Sequence, residues 1–287
     1  MPSLIDIRRR IRSVKNTQQI TKAMKMVSAA KLRRAQDRVL AARPYSQIMQ
    51  RMLENVALAA SEDPDIADNP LLIRREEKRI QLLVITGDRG LAGAFNTNVI
   101  KIAQKFIQEH AGAQVDLELI GRKGRDFFRK RHGHISGEYA TFFQKAVRYE
   151  DALGVAQKVT KRYRDAEVDA VYMVLNQFKT VMSADLKLTK LLPIDLPKAT
   201  ERIDYIYEQS PAELLSALLP RYIEVQIYRA MLESGAAEQA ARMTAMDAAS
   251  SNAADVIERL TLNMNRVRQA SITKEIIEIV SGAAALE

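Results

Sequence analysis

Three stretches of the sequence carry residue types that could do chemistry. The first is ITGDRGLAGAFN at residues 85–96, with Gly87, Gly90 and Gly93 placed between an apolar run and a helical pattern. Backbone N–H groups in a Gly-rich strand-to-helix turn can meet a phosphate at the positive end of a helix, so the stretch raises nucleotide binding. Its G-x-x-G-x-x-G spacing is not the G-x-G-x-x-G of dinucleotide folds. No Lys-Ser or Lys-Thr follows the last glycine, as a P-loop needs to reach a terminal phosphate and hold magnesium. Glu109 and Asp116 stand where a ribose-binding carboxylate would, but such residues are common in any chain. The stretch therefore reads as a structural turn that starts a helix. The second, His132-Gly133-His134, is a metal-type pair with no third ligand near it in sequence, and reads as a solvated basic loop. The third, Asp88, has the chemistry of a general base. It lacks an identifiable nucleophile or partner carboxylate, and a turn carboxylate capping the following helix accounts for it equally. No catalytic, metal or cofactor-binding residue is assigned, and no cofactor is expected.

The elements that would position these residues follow from periodicity. Ser3 and Asp6 form a cap-like pair at a helix start. Leu4, Ile7, Ile11 and Val14 begin an apolar stripe, which we continue through Ile20, Met24, Val27, Leu32, Ala35, Val39, Ala42, Ile48, Met52 and Val56. Thr17, Thr21 and Ser28 narrow it, and a kink is expected at Pro44. This first helix, residues 1–60, would be a rod of roughly 85 Å. SEDPDIADNP opens a linker over 61–77. Over 78–198, RIQLLVIT, QVDLELIG and DAVYMVLNQF read as strands, ADLKLTKLLPI as an edge strand, and FNTNVIKIAQKFIQEH, RKGRDFFRKRH and RYEDALGVAQKVTKRYRDAEV as helices. That alternation predicts a mainly parallel, Rossmann-like α/β domain. After a connector at 199–210, Ser210, Pro211 and Glu213 open a second helix over 211–287, which Pro220 is expected to bend or restart. Two rods with such narrow stripes should pair as a long antiparallel coiled coil. The C-terminal rod should project beyond the other, leaving the uncharged IVSGAAAL in need of an apolar sleeve.

Composition agrees with a helix-rich chain. There are 287 residues, no Trp, no Cys and 6% aromatics. Without cysteine, disulfides, thiolate metal sites and cysteine nucleophiles are excluded, and a reducing compartment is expected. No uncharged run approaches the roughly 18 residues of a membrane span. The net charge of +9 is concentrated: residues 1–51 carry 13 Lys or Arg against Asp6 and Asp37. An acidic partner is implied. Nucleic acid is one candidate, although interleaved aromatics and a recognition-helix motif are missing. A solvated helix face and a rod facing acidic loops inside a protein ring are the others.

ITKEIIEIVSGAAA at 272–285 resembles the C-terminal signature of the gamma subunit of F-type ATP synthases, with Ile272, Thr273, Glu275, Glu278, Gly282 and Ala283 at the family's spacing. IRSVKNTQQITKAMKMVSAAKLRRAQ at 11–36, EQAARMTAMDAASSNA at 238–253 and TGDRGLAGAFNTN are similar to the family as well, though Ser often stands at Gly87 and Cys at Ala92. The resemblance implies a central rotor shaft inside a ring of three alpha and three beta subunits. The α/β domain would sit below, beside the epsilon subunit and the membrane c-ring. It implies beta-subunit contacts at Met24, Lys25, Arg268, Gln269, Thr273 and Glu275, and a c-ring foot at Tyr205, Tyr207 and Glu208. No nucleic acid and no direct small-molecule substrate are implied. A missing regulatory insertion favours a bacterial complex, with this chain a peripheral membrane protein on the cytoplasmic face of the inner membrane.

Overall fold

A computed structural model of the chain describes residues 3–60, 69–143, 146–181, 183–195 and 209–284. In chain order the elements are α1 (Leu4–Ala59), β1 (Arg79–Ile85), α2 (Phe95–Glu109), β2 (Gln114–Ile120), α3 (Arg122–Phe128), β3 (Ile135–Tyr139), α4 (Tyr149–Arg164), β4 (Ala170–Phe178), β5 (Ala184–Leu192) and α5 (Pro211–Ala284). They form two compact units. One combines α1 up to Ser28 with α5 from Met243 onward, and the other is Ala29–Arg242.

In the first unit α1 starts at a reciprocal cap: the Asp6 amide donates to Ser3 Oγ at 3.2 Å, and Ser3 Oγ donates to Asp6 Oδ2 at 2.8 Å. The two helices run antiparallel, because Thr21 Oγ1 meets Ser250 Oγ at 2.7 Å while Lys25 Nζ reaches Asp247 Oδ1 at 2.6 Å. Ile7, Thr21 and Ser28 are buried on α1, and Met246, Ser250 and Ala253 on α5. The expected stripe is corrected here, since Ile20 and Val27 are 59% and 56% exposed. The spacing of 3 and 4 set by Leu4, Ile7, Ile11 and Val14 continues to Gln18, Thr21, Lys25 and Ser28, all buried or half-buried. Small hydroxyl side chains there let the backbones approach and hydrogen-bond across the seam.

In the second unit the same frame on α1 buries Leu32, Val39, Ser46, Met49, Leu53 and Val56, while Ile48 and Met52 face out. Both α1 and α5 remain helical through their internal prolines, Pro44 and Pro220. At the start of α5 the Glu213 amide donates to Ser210 Oγ at 3.2 Å. The five-stranded sheet has the order β3-β2-β1-β4-β5. β1 pairs parallel with β2 and β4, β2 pairs parallel with β3, and β4 pairs antiparallel with β5. This is the strand order of dinucleotide-binding folds with an antiparallel edge. β1 is buried on both faces. One core packs Ile80, Leu82, Val84, Leu117 and Leu119 against Val99, Ala103 and Phe106 of α2. α4 contributes buried Val155, Ala156, Val159 and Tyr163.

β3 is not apparent in the sequence. Its residues ISGEY are half-exposed, and its register with β2 breaks at Leu117/Glu118. A buried polar network accompanies it, in which Gln81 Nε2 and Ser136 Oγ donate to Glu118 Oε2 at 2.8 and 2.6 Å and Lys158 Nζ reaches Glu118 Oε1 at 3.1 Å. These donors offset the cost of burying the Glu118 carboxylate.

Candidate functional site

The glycine turn leaves β1 at the point where strand order reverses between β1 and β4, the crevice in which open α/β sheets hold their ligands. Its conformation is fixed from inside. The Gly87 amide donates to Asn96 Oδ1 at 2.8 Å, and Asn96 Nδ2 donates to the Arg89 carbonyl at 3.2 Å. Leu91 and Gly93 take left-handed conformations, with φ of 62° and 54°. Asp88 is buried, and it does not cap the following helix α2 as expected. Its Oδ1 accepts the amides of Arg122 at 2.9 Å and Thr141 at 3.1 Å, and its Oδ2 accepts that of Phe143 at 2.9 Å. It therefore caps α3 and ties down the loop after β3, because these amides converge on the mouth of the crevice. With three backbone amides bonded to it, the Asp88 side chain is occupied in holding loops together.

The crevice is filled by α5 of the same chain. Ala237 and Ala241 pack on Ala92, Phe95 and Phe178. The Glu238 carboxylate lies so close to Gly87 that a Cβ there would stand 2.7 to 3.0 Å from it. Arg242 Nη2 donates to Glu238 Oε1 at 2.5 Å, and its Nε and Nη2 lie 3.4 and 3.3 Å from the Gly90 carbonyl. Glu238 and Arg242 are 3% and 7% exposed. Burial pushes the Glu238 carboxyl above its ordinary range, against the opposing pull of Arg242. A carboxylate of the chain thus stands where other folds of this build place a phosphate.

The His132 and His134 rings meet edge to face, with centroids 6.2 Å apart. His132 Nε2 lies 2.7 Å from the Val115 carbonyl, and His110 stacks on Phe106. Among the described residues no group of three His, Cys, Asp or Glu side chains could hold a metal ion.

The described residues singled out as contacts lie on the paired helices of the first unit. Met24 and Lys25 are half-buried beside the α1–α5 seam, with Lys25 paired to Asp247. Arg268, Gln269, Thr273 and Glu275 are exposed on α5, and Thr273 Oγ1 donates to the Gln269 carbonyl at 2.9 Å. Asp247 and Arg268 are about 31 Å apart along the helix, so the two sets form separate patches. Tyr205, Tyr207 and Glu208 lie outside the described residues. Sequence reasoning missed the outward apolar residues beside Lys25: Ile20, Met26 and Val27 are 59, 71 and 56% exposed. The unbroken spacing of 3 and 4 would have placed them there. On α5 the inward face ends at Ser271, beyond which Ile272, Ile276, Ile277, Ile279 and Val280 are all exposed. In the second unit, Lys31, Arg34 and Arg38 line a cavity of about 220 Å³ together with Met231 and Leu232. No helix among the described residues is long and apolar enough to cross a membrane.

The ATP synthase family model matches residues 3–286. The ATP synthase gamma chain of Solibacter usitatus is 63% identical over 287 residues, covering all of both chains, and that of Pelotomaculum thermopropionicum is 50% identical, again with full coverage. Among solved structures, a chain from the central stalk and c-ring of Tetrahymena thermophila mitochondrial ATP synthase superposes with a TM-score of 0.62 at 26% identity, over 80% of this chain and 99% of that one. A chain of the Euglena gracilis mitochondrial ATP synthase shares the fold, with a TM-score of 0.68 at 18% identity over 99% of this chain and 94% of the other. None of these relatives supports a nucleic-acid-binding role for the basic face of α1. With two long terminal helices, a Rossmann-like sheet between them and gamma-chain relatives matched from end to end, this chain belongs to the ATP synthase gamma-chain family.

Proposed function

We propose that the chain is the central rotor shaft of an F-type ATP synthase, coupling rotation of a c-ring driven by a proton or sodium gradient to conformational cycling of catalytic beta subunits. The observation that carries this reading is an antiparallel helix pair whose seam mixes Ile7 and Met246 with the small polar Thr21, Ser28 and Ser250, while Ile20, Met26, Val27 and the isoleucines of 272–279 with Val280 face outward, in a member of this family. A surface of that kind suits a sleeve of other subunits. Met24, Lys25, Arg268, Gln269, Thr273 and Glu275 are the proposed beta contacts, and Tyr205, Tyr207 and Glu208 the proposed foot on the c-ring. Lys31, Arg34 and Arg38 extend the basic belt toward acidic neighbours. Three alpha and three beta subunits and one epsilon subunit complete the proposed partners, at the cytoplasmic face of a bacterial inner membrane.

The shaft does no bond chemistry in this scheme. It contacts three beta subunits differently and biases each toward an open or a closed state only through those differential contacts. Rotation moves the bias around the ring. Co-purification from membranes should yield one copy of this chain per three alpha and three beta subunits, and recovery of the chain free of them would overturn the reading.

A further inference from the structure

We propose that the glycine turn and the Glu238–Arg242 pair form the joint through which the α/β domain and α5 move as one body, with Glu238 and Arg242 as its positioning residues. The proposal deepens the rotor reading and rests on it. The apolar part of the contact uses mainly small side chains, Ala92, Ala237 and Ala241 beside Phe95 and Phe178, which form shallow ridges that resist sliding weakly. The polar part is directional. Glu238 abuts Gly87 at one end of the turn, and Arg242 reaches the Gly90 carbonyl at the other. Each holds the other through an i,i+4 pair that is almost completely buried. Slippage of α5 would pull the buried Arg242 off the Gly90 carbonyl and drive the Glu238 carboxylate against the Gly87 backbone, so displacement meets both a lost hydrogen bond and a steric stop. On the far side of the turn Asp88 bonds the amides of Arg122, Thr141 and Phe143. A continuous set of contacts therefore runs from α5 through the turn to α3 and the loop after β3. Arg229 and Glu233, also on α5, form a second buried-carboxylate i,i+4 pair at 2.8 Å whose bond stays within the helix.

That second pair supplies the control. The intact complex is immobilised through its ring in a cysteine-free background, and an optical probe is attached through Ala111→Cys, an exposed position of a chain without cysteine. The angular spread of the probe is recorded with rotation stalled. Glu238→Ala and Arg242→Ala should each broaden the spread, and the double variant should broaden it no further than the worse single one, because the pair acts as a unit. Glu233→Ala, which removes the same kind of ion pair, should leave the spread at the wild-type value. Should Glu238→Ala not assemble, Glu238→Gln keeps the shape against Gly87 and should also broaden the spread through loss of the charge. Wild-type spread in the Glu238 variants, or equal broadening in Glu233→Ala, would overturn the joint. A wild-type probe that fails to rotate with ATP would instead refute the rotor reading.

Discussion

Lys25 offers a way to separate what the helix pair needs from what its surroundings need. Its ammonium lies 2.6 Å from Asp247 Oδ1, with side-chain exposures of 37% and 60%. An ion pair this exposed contributes about 0.2–1 kcal/mol. Lys25→Glu removes that and sets two carboxylates side by side, and at a few ångströms in high dielectric their repulsion adds about 1 kcal/mol. The total, about 1–2 kcal/mol, is small beside a seam that buries Ile7, Met246 and Ala253, so assembly should survive. The coupled quantity to measure is the ratio of ATP-driven proton pumping to ATP hydrolysis in membrane vesicles carrying the intact complex. We expect Lys25→Glu to lower this ratio. Lys25→Glu with Asp247→Lys restores the cross-helix pair with its charges exchanged but leaves the half-exposed charge at position 25 reversed. The ratio should stay low in that double variant. Recovery of the wild-type ratio would assign the whole effect to the helix pair and refute the contact with beta, and an unchanged ratio in Lys25→Glu alone would do the same.

Other expectations are more local. Leu53, fully buried on α1, should cost about 2–5 kcal/mol when replaced by Ala, lowering the denaturation midpoint without changing the slope. Asp88→Ala leaves three backbone amides without their acceptor, at about 1–3 kcal/mol for each that water does not reach, and hydrogen exchange at Arg122, Thr141 and Phe143 should accelerate together. Independent behaviour of the three amides would contradict a single shared acceptor. The hydrogen bond from Arg79, at 2.7 Å, holds the Asp169 carboxyl below the ordinary carboxylate range, with the Arg79 amide adding to it against the cost of burial. A depressed carboxyl stabilises the fold above its unfolded value near 3.9 and loses that effect as pH falls through the folded value. Acid titration of unfolding should therefore show a loss below about pH 4 that is smaller in Asp169→Asn.

The sequence was legible where a local rule decides the outcome. Ser3 and Asp6 cap α1, Ser210 caps α5, β1 is a largely apolar run and β2 alternates polar with apolar residues as a strand does. Hydrophobicity alone does not mark the inward positions of α1. Ile20 and Val27 attract the eye, yet the frame of 3 and 4 passes through Thr21 and Ser28, because close helix approach favours small side chains that can hydrogen-bond across the seam. β3 escaped notice because its partners are polar: Ser136 faces Glu118, and Gly137 leaves room for that carboxylate. In the crevice, Glu238 and Arg242 look like any solvated i,i+4 pair until the fold lays them on the glycine turn. The turn itself reads as a structural one, but nothing in its sequence shows that α5 packs against it.

The outward apolar residues have a consequence for the life of the chain before it is assembled. Ile272, Ile276, Ile277, Ile279 and Val280 present a contiguous sticky segment at one end of α5, and Ile20, Met26 and Val27 present another on α1. A newly made copy would meet other copies through these surfaces as readily as it meets its proper neighbours. On the rotor reading proposed above, a copy made in excess of its partners should be lost to aggregation or proteolysis rather than stored as a stable pool.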